Sequence, residues 1–482
     1  MDWWIIAGLF ALGLIILFII VILVRTLLFR PRAVPNQPFC EISYDGDKAV
    51  SDLSEMIKCK TVSHMDKALD DEGEFQKFKN LLPRLFPLVY SVCTLENVTD
   101  RALLFKWSGK SSDAPTVLMA HFDVVSVVEE LWDKPAFSGT VENGEIWGRG
   151  AVDTKGSLNA ILQAAEQLIS EGFVPERDVY FAFGGNEEVS GDAAPSIVSL
   201  FIERGITPGL VLDEGGAVVK GVFPGVKEPC AFIGIAEKGM INVEYSVNGG
   251  GGHSSAPLPN TPIDRLASAA VRIRKHPFKF TLTKPTLLMF DTLGRHSTFL
   301  YRIIFANLWC FAPVLNLICK KSGGQINAVA RTTLAFTQAE GSKGINVIPP
   351  YAKMASNSRI IPGETTESVL SRIRETVKDD KVEIKMINGM NPSVVSRTDC
   401  EAWERICSSV FATWKNAIPS PYLMTACSDS RHWGVISDKV YRFSPLAITR
   451  EEQNSIHGNN EKVSIASVKK AVEFYIRLIK MS

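Results

Sequence analysis

The apolar positions fall into three textures along the chain. The first is Trp3 to Val24, an unbroken apolar run of 22 residues closed by Arg25. As a helix rising about 1.5 Å per residue it matches a hydrocarbon layer about 30 Å thick. A cleaved signal peptide has a basic start and an apolar region of about 7–15 residues. Here the chain starts Met-Asp and the run is longer, which predicts an uncleaved anchor over residues 1–30, a single-pass membrane protein. Arg25, Arg30 and Arg32 follow the run, so the positive-inside rule places the large domain on the cytoplasmic face. Pro31, Pro35 and Pro38 mark residues 31–44 as an extended linker.

The second texture alternates short apolar runs with helical spacing. Helices are predicted over Ala49–Ile57, over Glu74–Leu82 with Pro83 as a stop, over Ser157–Ser170 and over Pro195–Arg204. Strands are predicted at Leu103–Trp107, Thr116–Ala120, Asp178–Phe183 and Gly209–Leu212. Such alternation predicts an α/β layered domain over 45–233. The same texture returns over 389–482, with a helix over Asp399–Trp414, a strand at Val440–Phe443 and a closing helix over Ile465–Ile479.

Between them, 234–388 reads differently. Ile241–Val247 alternates as an antiparallel strand does, Pro262–Lys275 and Thr366–Val377 have helical spacing, and strands are predicted at Ala330–Thr337, Lys353–Ile361 and Val382–Ile387. The order β-α-β-β-α-β is that of a ferredoxin-like module, here inserted into the first domain. Residues 277–324 are an extra segment inside it. Phe299 to Ile318 is very apolar, but Arg302, Asn307, Pro313 and Asn316 interrupt it. It is expected to form a packed helical arm that covers the site, or contacts lipid or an apolar substrate, rather than a second span.

At 482 residues with 46% hydrophobic positions, the chain has room for more than one core. Lys plus Arg equals Asp plus Glu at 52 each, which leaves no electrostatic footprint for nucleic acid. Nine scattered cysteines suit a reducing compartment better than a disulfide framework.

Candidate chemistry collects where apolar strands end. His121-Phe122-Asp123 follows one strand; on a strand, residues two apart share a face. A histidine beside a carboxylate suits a metal ligand with its orienting partner, or a core histidine satisfied by an aspartate. Asp153, in Gly148-Arg149-Gly150-Ala151-Val152-Asp153, precedes a helix and could cap it. Glu187 and Glu188 follow Phe183-Gly184-Gly185-Asn186. They read as a solvated turn, or as a pair held by a cation with one acid left for proton transfer. Asp213 and His457 occupy similar exits. Together, His121, Asp153, Glu188, Asp213 and His457 suit two zinc ions sharing an aspartate, with a bridging water between them and Glu187 as general base.

These motifs, with Asp213-Glu214-Gly215-Gly216, Gly252-His253-Ser254-Ser255, Asn346-Val347-Ile348-Pro349 and Ile456-His457-Gly458-Asn459-Asn460-Glu461, resemble the dizinc exopeptidase and aminoacylase family of glutamate carboxypeptidase, carnosinase and aminoacylase. Within it the chain most resembles carboxypeptidase S and the N-fatty-acyl-amino-acid synthases/hydrolases. The resemblance implies a zinc-peptidase α/β sandwich with a lid/dimerisation domain. It implies one zinc on His121, Asp153 and Asp213 and a second on Asp153, Glu188 and His457. Asp123 would orient His121, Glu187 would be the base, and a cis peptide would follow Asp153. His253 would stabilise the oxyanion, reaching across a homodimer interface. Arg359 and Asn327 would bind a substrate carboxylate, and Asp429 and Arg431 would line the pocket. Without the resemblance, His253 reads as a polar residue in a glycine-rich turn, Asn327 as a turn residue before a strand, and Asp429–Arg431 as a local salt bridge. The family often has Asp where Asn357 stands two residues before Arg359. The implied activity is hydrolysis of a peptide or N-acyl amide bond next to a free carboxylate. The alternative is a catalytically silent, membrane-anchored binding or receptor protein on the same fold.

Overall fold

The computed structural model describes residues 3–32 and 41–482. Most of the predicted linker, and the Met-Asp start, lie outside the described residues. An eight-stranded mixed sheet organises the larger part. Its strands run, in spatial order, Thr94–Thr99, Ala102–Trp107, Arg177–Gly184, Ser111–His121, Leu210–Val219, Val440–Ala447, Cys230–Glu237 and Ile418–Met424. The four central strands, Arg177–Gly184 through Val440–Ala447, are parallel to one another. They are buried almost throughout, as strands covered on both faces must be. Helices Gly46–Ile57, Lys155–Ser170, Glu401–Thr413 and Ile465–Lys480 contribute to the large core on one side, and Ala193–Glu203 packs on the other.

A second, four-stranded antiparallel sheet has the order Thr333–Glu340, Tyr351–Ile360, Gly239–Asn248, Glu383–Met390. Helices Pro262–Lys275 and Thr366–Val377 pack against it around Tyr245, Leu266, Ile273, Val369 and Ile373. Both helices begin at the residues their spacing predicts. Thr261 with Asp264, and Thr365 with Ser368, form capping boxes that satisfy the first free amides.

Two local expectations are corrected. Pro83 does not stop its helix, which runs Glu72–Leu85 with Pro83 inside. The stop comes from Pro87, which drives the preceding Phe86 out of helical geometry (φ −128°, ψ 60°). The strand expected to end at Leu212 continues as Leu210–Val219. Its ladder with Val440–Ala447 pairs Asp213 with Arg442 and then Gly216 with Phe443, so Glu214 and Gly215 form a bulge. The strand can continue because its glycines leave room: a Cβ on Gly216 would lie 1.7 Å from the Phe232 carbonyl oxygen, which is backbone and cannot retreat. Gly216→Ala is therefore expected to cost about 3 kcal/mol or more, read as a lowered thermal unfolding midpoint. An unchanged midpoint would refute this account of the bulge.

Helix Trp3–Leu28 contains an 18-residue stretch of mean hydropathy 3.3 and is long and apolar enough to cross a membrane. The apolar arm comprises Lys284–His296, Phe299–Ala306 and Leu308–Ser322, the last two meeting at 110°. It packs on the edge strands through Phe223, Cys230, Phe290, Phe305 and Ile418.

Candidate metal centre

The parallel strands bring their carboxyl ends to one place, where ligand sites of open α/β sheets lie. His121 is the last residue of Ser111–His121. Its main chain is fixed by Thr154, whose hydroxyl accepts from His121 N at 2.9 Å and donates to His121 O at 3.0 Å. Its Nδ1 lies 3.0 Å from the Asp123 carbonyl oxygen and 3.4 Å from Asp123 Oδ1. Both acceptors favour a proton on Nδ1 and leave Nε2 for a ligand role.

Asp153 stands between two histidines. Its Oδ1 is 2.9 Å from His121 Nε2 and its Oδ2 is 3.0 Å from His457 Nε2. These two rings hold its carboxyl far below the usual carboxylate range, against the opposing effect of desolvation. The adjoining Asp153–Thr154 peptide is cis. Helix Lys155–Ser170 has Thr154, not Asp153, at its N-cap; Asp153 spends its side chain on the histidines. His457 also lies 3.0 Å from Glu188 Oε2. Asp153 and Glu188 together push His457 up to about 10.

The turn carrying Glu187 and Glu188 is held from below by Asp123. The two Asp123 oxygens accept the Glu187 and Glu188 amides at 3.1 Å each, and Ser63 Oγ donates to Oδ2 at 2.6 Å. Glu188 turns to His457. Glu187 lines a small cavity with His121, Asp213, Asp429 and Trp433, where burial and then Glu214 push its carboxyl well up.

Asp213 is buried, with Oδ2 accepting from Ser430 N and Oδ1 from Glu214 N, both at 2.8 Å. The neighbouring bulge aims Glu214 into the same space, with Oε1 3.7 Å from His121 Nε2. Atoms of His121, Asp153 and Glu188 lie within ligand distance of one another, as do atoms of His121, Glu187 and Glu214. Sequence reasoning passed over Glu214, although it stands next to Asp213, because the segment read as a strand exit rather than a bulge. Carboxylates so outnumbering the two imidazoles in a largely buried space need cationic compensation. Nitrogen and carboxylate donors at this spacing fit divalent ions of the zinc type.

Glu461 ties the loops together. Its Oε2 accepts from Arg149 Nη1 at 2.7 Å and Gly150 N at 3.1 Å; Oε1 accepts from Val152 N at 2.8 Å and Asp153 N at 3.2 Å. Arg149 in turn donates to the Gly458 carbonyl. One buried acid thus fixes the Asp153 loop against the His457 loop.

A second constellation lies at the junction of the two sheets. Arg359 Nη1 is 3.3 Å from Cys427 Sγ, and the charges of Arg359 and Arg431 both bear on that thiol. Lys238, the one residue between strands Cys230–Glu237 and Gly239–Asn248, donates to the Ala328 and Arg331 carbonyls at 3.0 Å each. Burial, and then Arg359, push its ammonium down to about 7. Asn327 belongs to the short helix Gly324–Ala328, with its Oδ1 buried and without a partner. Asp429 lines the cavity, its carboxyl pushed up to about 7 by burial and by Asp213. No ion pair joins it to Arg431 among the described residues. His253 is exposed, hydrogen-bonded to Ser255, and supplies no atom to the potential ligand groups. None of the residues lining the cavity comes from the apolar arm.

Residues 117–481 match the profile of Peptidase family M20/M25/M40. The chain belongs to this family. Among curated M20 relatives it is 34% identical to a probable carboxypeptidase S-like 2 of Dictyostelium discoideum, over 95% of this chain and 92% of that one. It is 35% identical to an N-fatty-acyl-amino acid synthase/hydrolase of Xenopus tropicalis, over 98% and 94%. Among solved structures, an M20 family metallo-carboxypeptidase of Sulfolobus solfataricus shares the fold, with a TM-score of 0.65 and 17% identity over 90% of this chain and 98% of that one. M20 proteins are metal-dependent hydrolases, and this one is an enzyme of that metallopeptidase class.

Proposed function

We propose that the protein is a dinuclear zinc amidohydrolase, anchored in a membrane by Trp3–Leu28, that cleaves an acyl or peptidyl amide next to a free carboxylate. The observation that carries this reading is Asp153, whose two oxygens face different histidines, the disposition of a carboxylate shared by two ions. Asp153, Glu188 and His457 would hold one ion. His121 and Asp153 would hold the other, with the third ligand from the Asp213–Glu214 pair. When bound, the ions supply Lewis acidity toward the amide carbonyl and toward water.

The protein's own groups do the rest. Asp123 fixes the His121 tautomer and the Glu187–Glu188 turn. Glu187 accepts the proton from water and returns it to the leaving amine. His253, exposed on the two-residue strand Gly252–His253 that pairs with Val347–Ile348, would reach the oxyanion from the other copy in a homodimer. Arg359 and Arg431 form no ion pair among the described residues and, with Lys238 near Arg359, suit a substrate carboxylate. The names of the relatives, a carboxypeptidase S-like protein and an N-fatty-acyl-amino acid synthase/hydrolase, support substrates of this form. With such a substrate, condensation is the same chemistry run backwards. The silent-receptor alternative finds no support, since the ligand histidines, the acids and Glu187 are all in place.

The test is hydrolysis of a panel of N-acyl amino acids and dipeptides, each paired with its C-terminal amide. Activity is expected to require the free carboxylate, to vanish on chelation and to return with zinc. Arg359→Ala should raise KM about tenfold or more, the loss expected for one charge-assisted contact of about 1.5–3 kcal/mol. Equal rates on acids and amides would refute the carboxylate subsite.

A further inference from the structure

We infer that helices Phe299–Ala306 and Leu308–Ser322 form a re-entrant hairpin embedded in the same leaflet that the end of Trp3–Leu28 crosses, with lipid acyl chains as the partner of their exposed face. The inference rests on the reading of Trp3–Leu28 as a membrane span.

The hairpin is fastened to that helix at the point where the two arm helices diverge. Asn307 is fully buried there. Its Nδ2 donates to Ile303 O at 2.9 Å, Thr26 Oγ1 at 3.2 Å and Ile22 O at 3.3 Å, and its Oδ1 accepts from Arg25 Nε at 3.2 Å. Arg25 Nη2 donates to Ala306 O at 3.1 Å. The backbone at the break is satisfied as well: Asn307 N donates to Ile304 O, and Asn307 O accepts from Cys310 N and Phe311 N. Non-helical backbone at the edge of the hydrocarbon layer is tolerated where it is internally satisfied in this way. Asn316, which interrupts the apolar run in sequence, accepts from Arg331 Nη2 at 2.5 Å, and Arg302 turns back to Ser297 O.

Depth follows from the anchor. Its apolar run ends at Val24, which places the headgroup boundary near Arg25. Phe18 stands seven residues earlier, about 10 Å along the helix axis. Trp309 packs edge-on against Phe18 with ring centroids 5.7 Å apart, so it lies at the same depth. Trp309 is nevertheless 57% exposed, and Leu300, Val314, Leu317 and Ile318 are exposed beside it on the arm. Whatever surrounds Phe18 surrounds Trp309 too. Arg30 and Arg32 follow the anchor's apolar run, on the headgroup side of its end, and Lys320 and Lys321 make the last turn of the arm basic. Past the end of the apolar run Arg32 pairs with Asp291 at 2.9 Å, and the Arg295 guanidinium lies 4.4 Å from the Phe29 ring centroid. The anchor and arm are thereby joined on both sides of the boundary.

The full-length protein, reconstituted into phosphatidylcholine vesicles containing a lipid with a diazirine in mid-chain, is irradiated and its lipid adducts are mapped by mass spectrometry. Adducts are expected on Trp3–Val24 and on Leu308–Ile318, both at least tenfold above the exposed loop at Ile345. Adducts on Trp3–Val24 with none above that background on Leu308–Ile318 would overturn the hairpin and leave the anchor standing. Adducts on neither would overturn both.

Discussion

Glu187→Gln is expected to purify with the same zinc content as the unaltered enzyme and to turn over about 10²–10⁴ times more slowly, the range spanned by general-base groups. Glu188→Gln is expected to lose metal. The two carboxylates are adjacent in sequence, and Asp123 holds both amides at 3.1 Å, but the side chains part company. Glu188 turns to His457, 3.0 Å away; Glu187 lines the cavity beside His121 and Asp213. The amide of Gln is nearly isosteric with the carboxylate and keeps a neutral oxygen, so the turn is preserved in both variants. What differs is whether a charge is removed from the ligand set or from the proton carrier. Metal analysis of the two purified proteins, beside kcat on one good substrate, separates these outcomes. Equal zinc content in the two variants would refute the division.

Glu461→Gln is expected to damage the site without touching it. Glutamine has one acceptor oxygen in place of two, so it can serve either Arg149 and Gly150 or Val152 and Asp153, and its amide hydrogens face donors on the other side. Arg149 is buried and would be left without its counter-charge. Breaking a buried pair of this kind costs about 3–5 kcal/mol. The loss should appear as a lower unfolding midpoint and also as weaker zinc retention, because the Asp153 and His457 loops lose their common tie. Zinc retention equal to that of the unaltered enzyme would show that the two loops hold their positions independently.

Much of this site was legible in sequence because each strand announces its own end. Ser111–His121, Arg177–Gly184 and the start of Leu210–Val219 are apolar runs that stop at a histidine or an acid, and that boundary needs no knowledge of the fold. The helices of the second sheet were legible because their apolar positions recur at helical spacing, and the Thr261–Asp264 capping box that starts the first of them is local to one turn. What sequence did not disclose depends on partners distant in the chain. The bulge that aims Glu214 inward exists because Gly216 passes close under Phe232 and the strand Val440–Ala447 lies alongside. Lys238 gains meaning only where two sheets meet, and Glu461 only once its loop lies against residues 149–153, some three hundred positions earlier in the numbering. Pro83 misled because one proline can be carried inside a helix, whereas Pro87 acts on the residue before it.

The position of strand Val440–Ala447 has a consequence for the order in which the enzyme is made. It lies inside the eight-stranded sheet, between Leu210–Val219 and Cys230–Glu237, yet the ribosome delivers it more than two hundred residues after both. Until it arrives, the Leu210–Val219 ladder lacks one of its sides, and Arg442 is not there to neutralise Glu237. His457 emerges later still. A nascent chain therefore carries His121, Asp153 and Glu188 through most of its synthesis without His457, and on the proposed ligand set metal capture would follow completion of the polypeptide, after the last segment has threaded into the waiting gap.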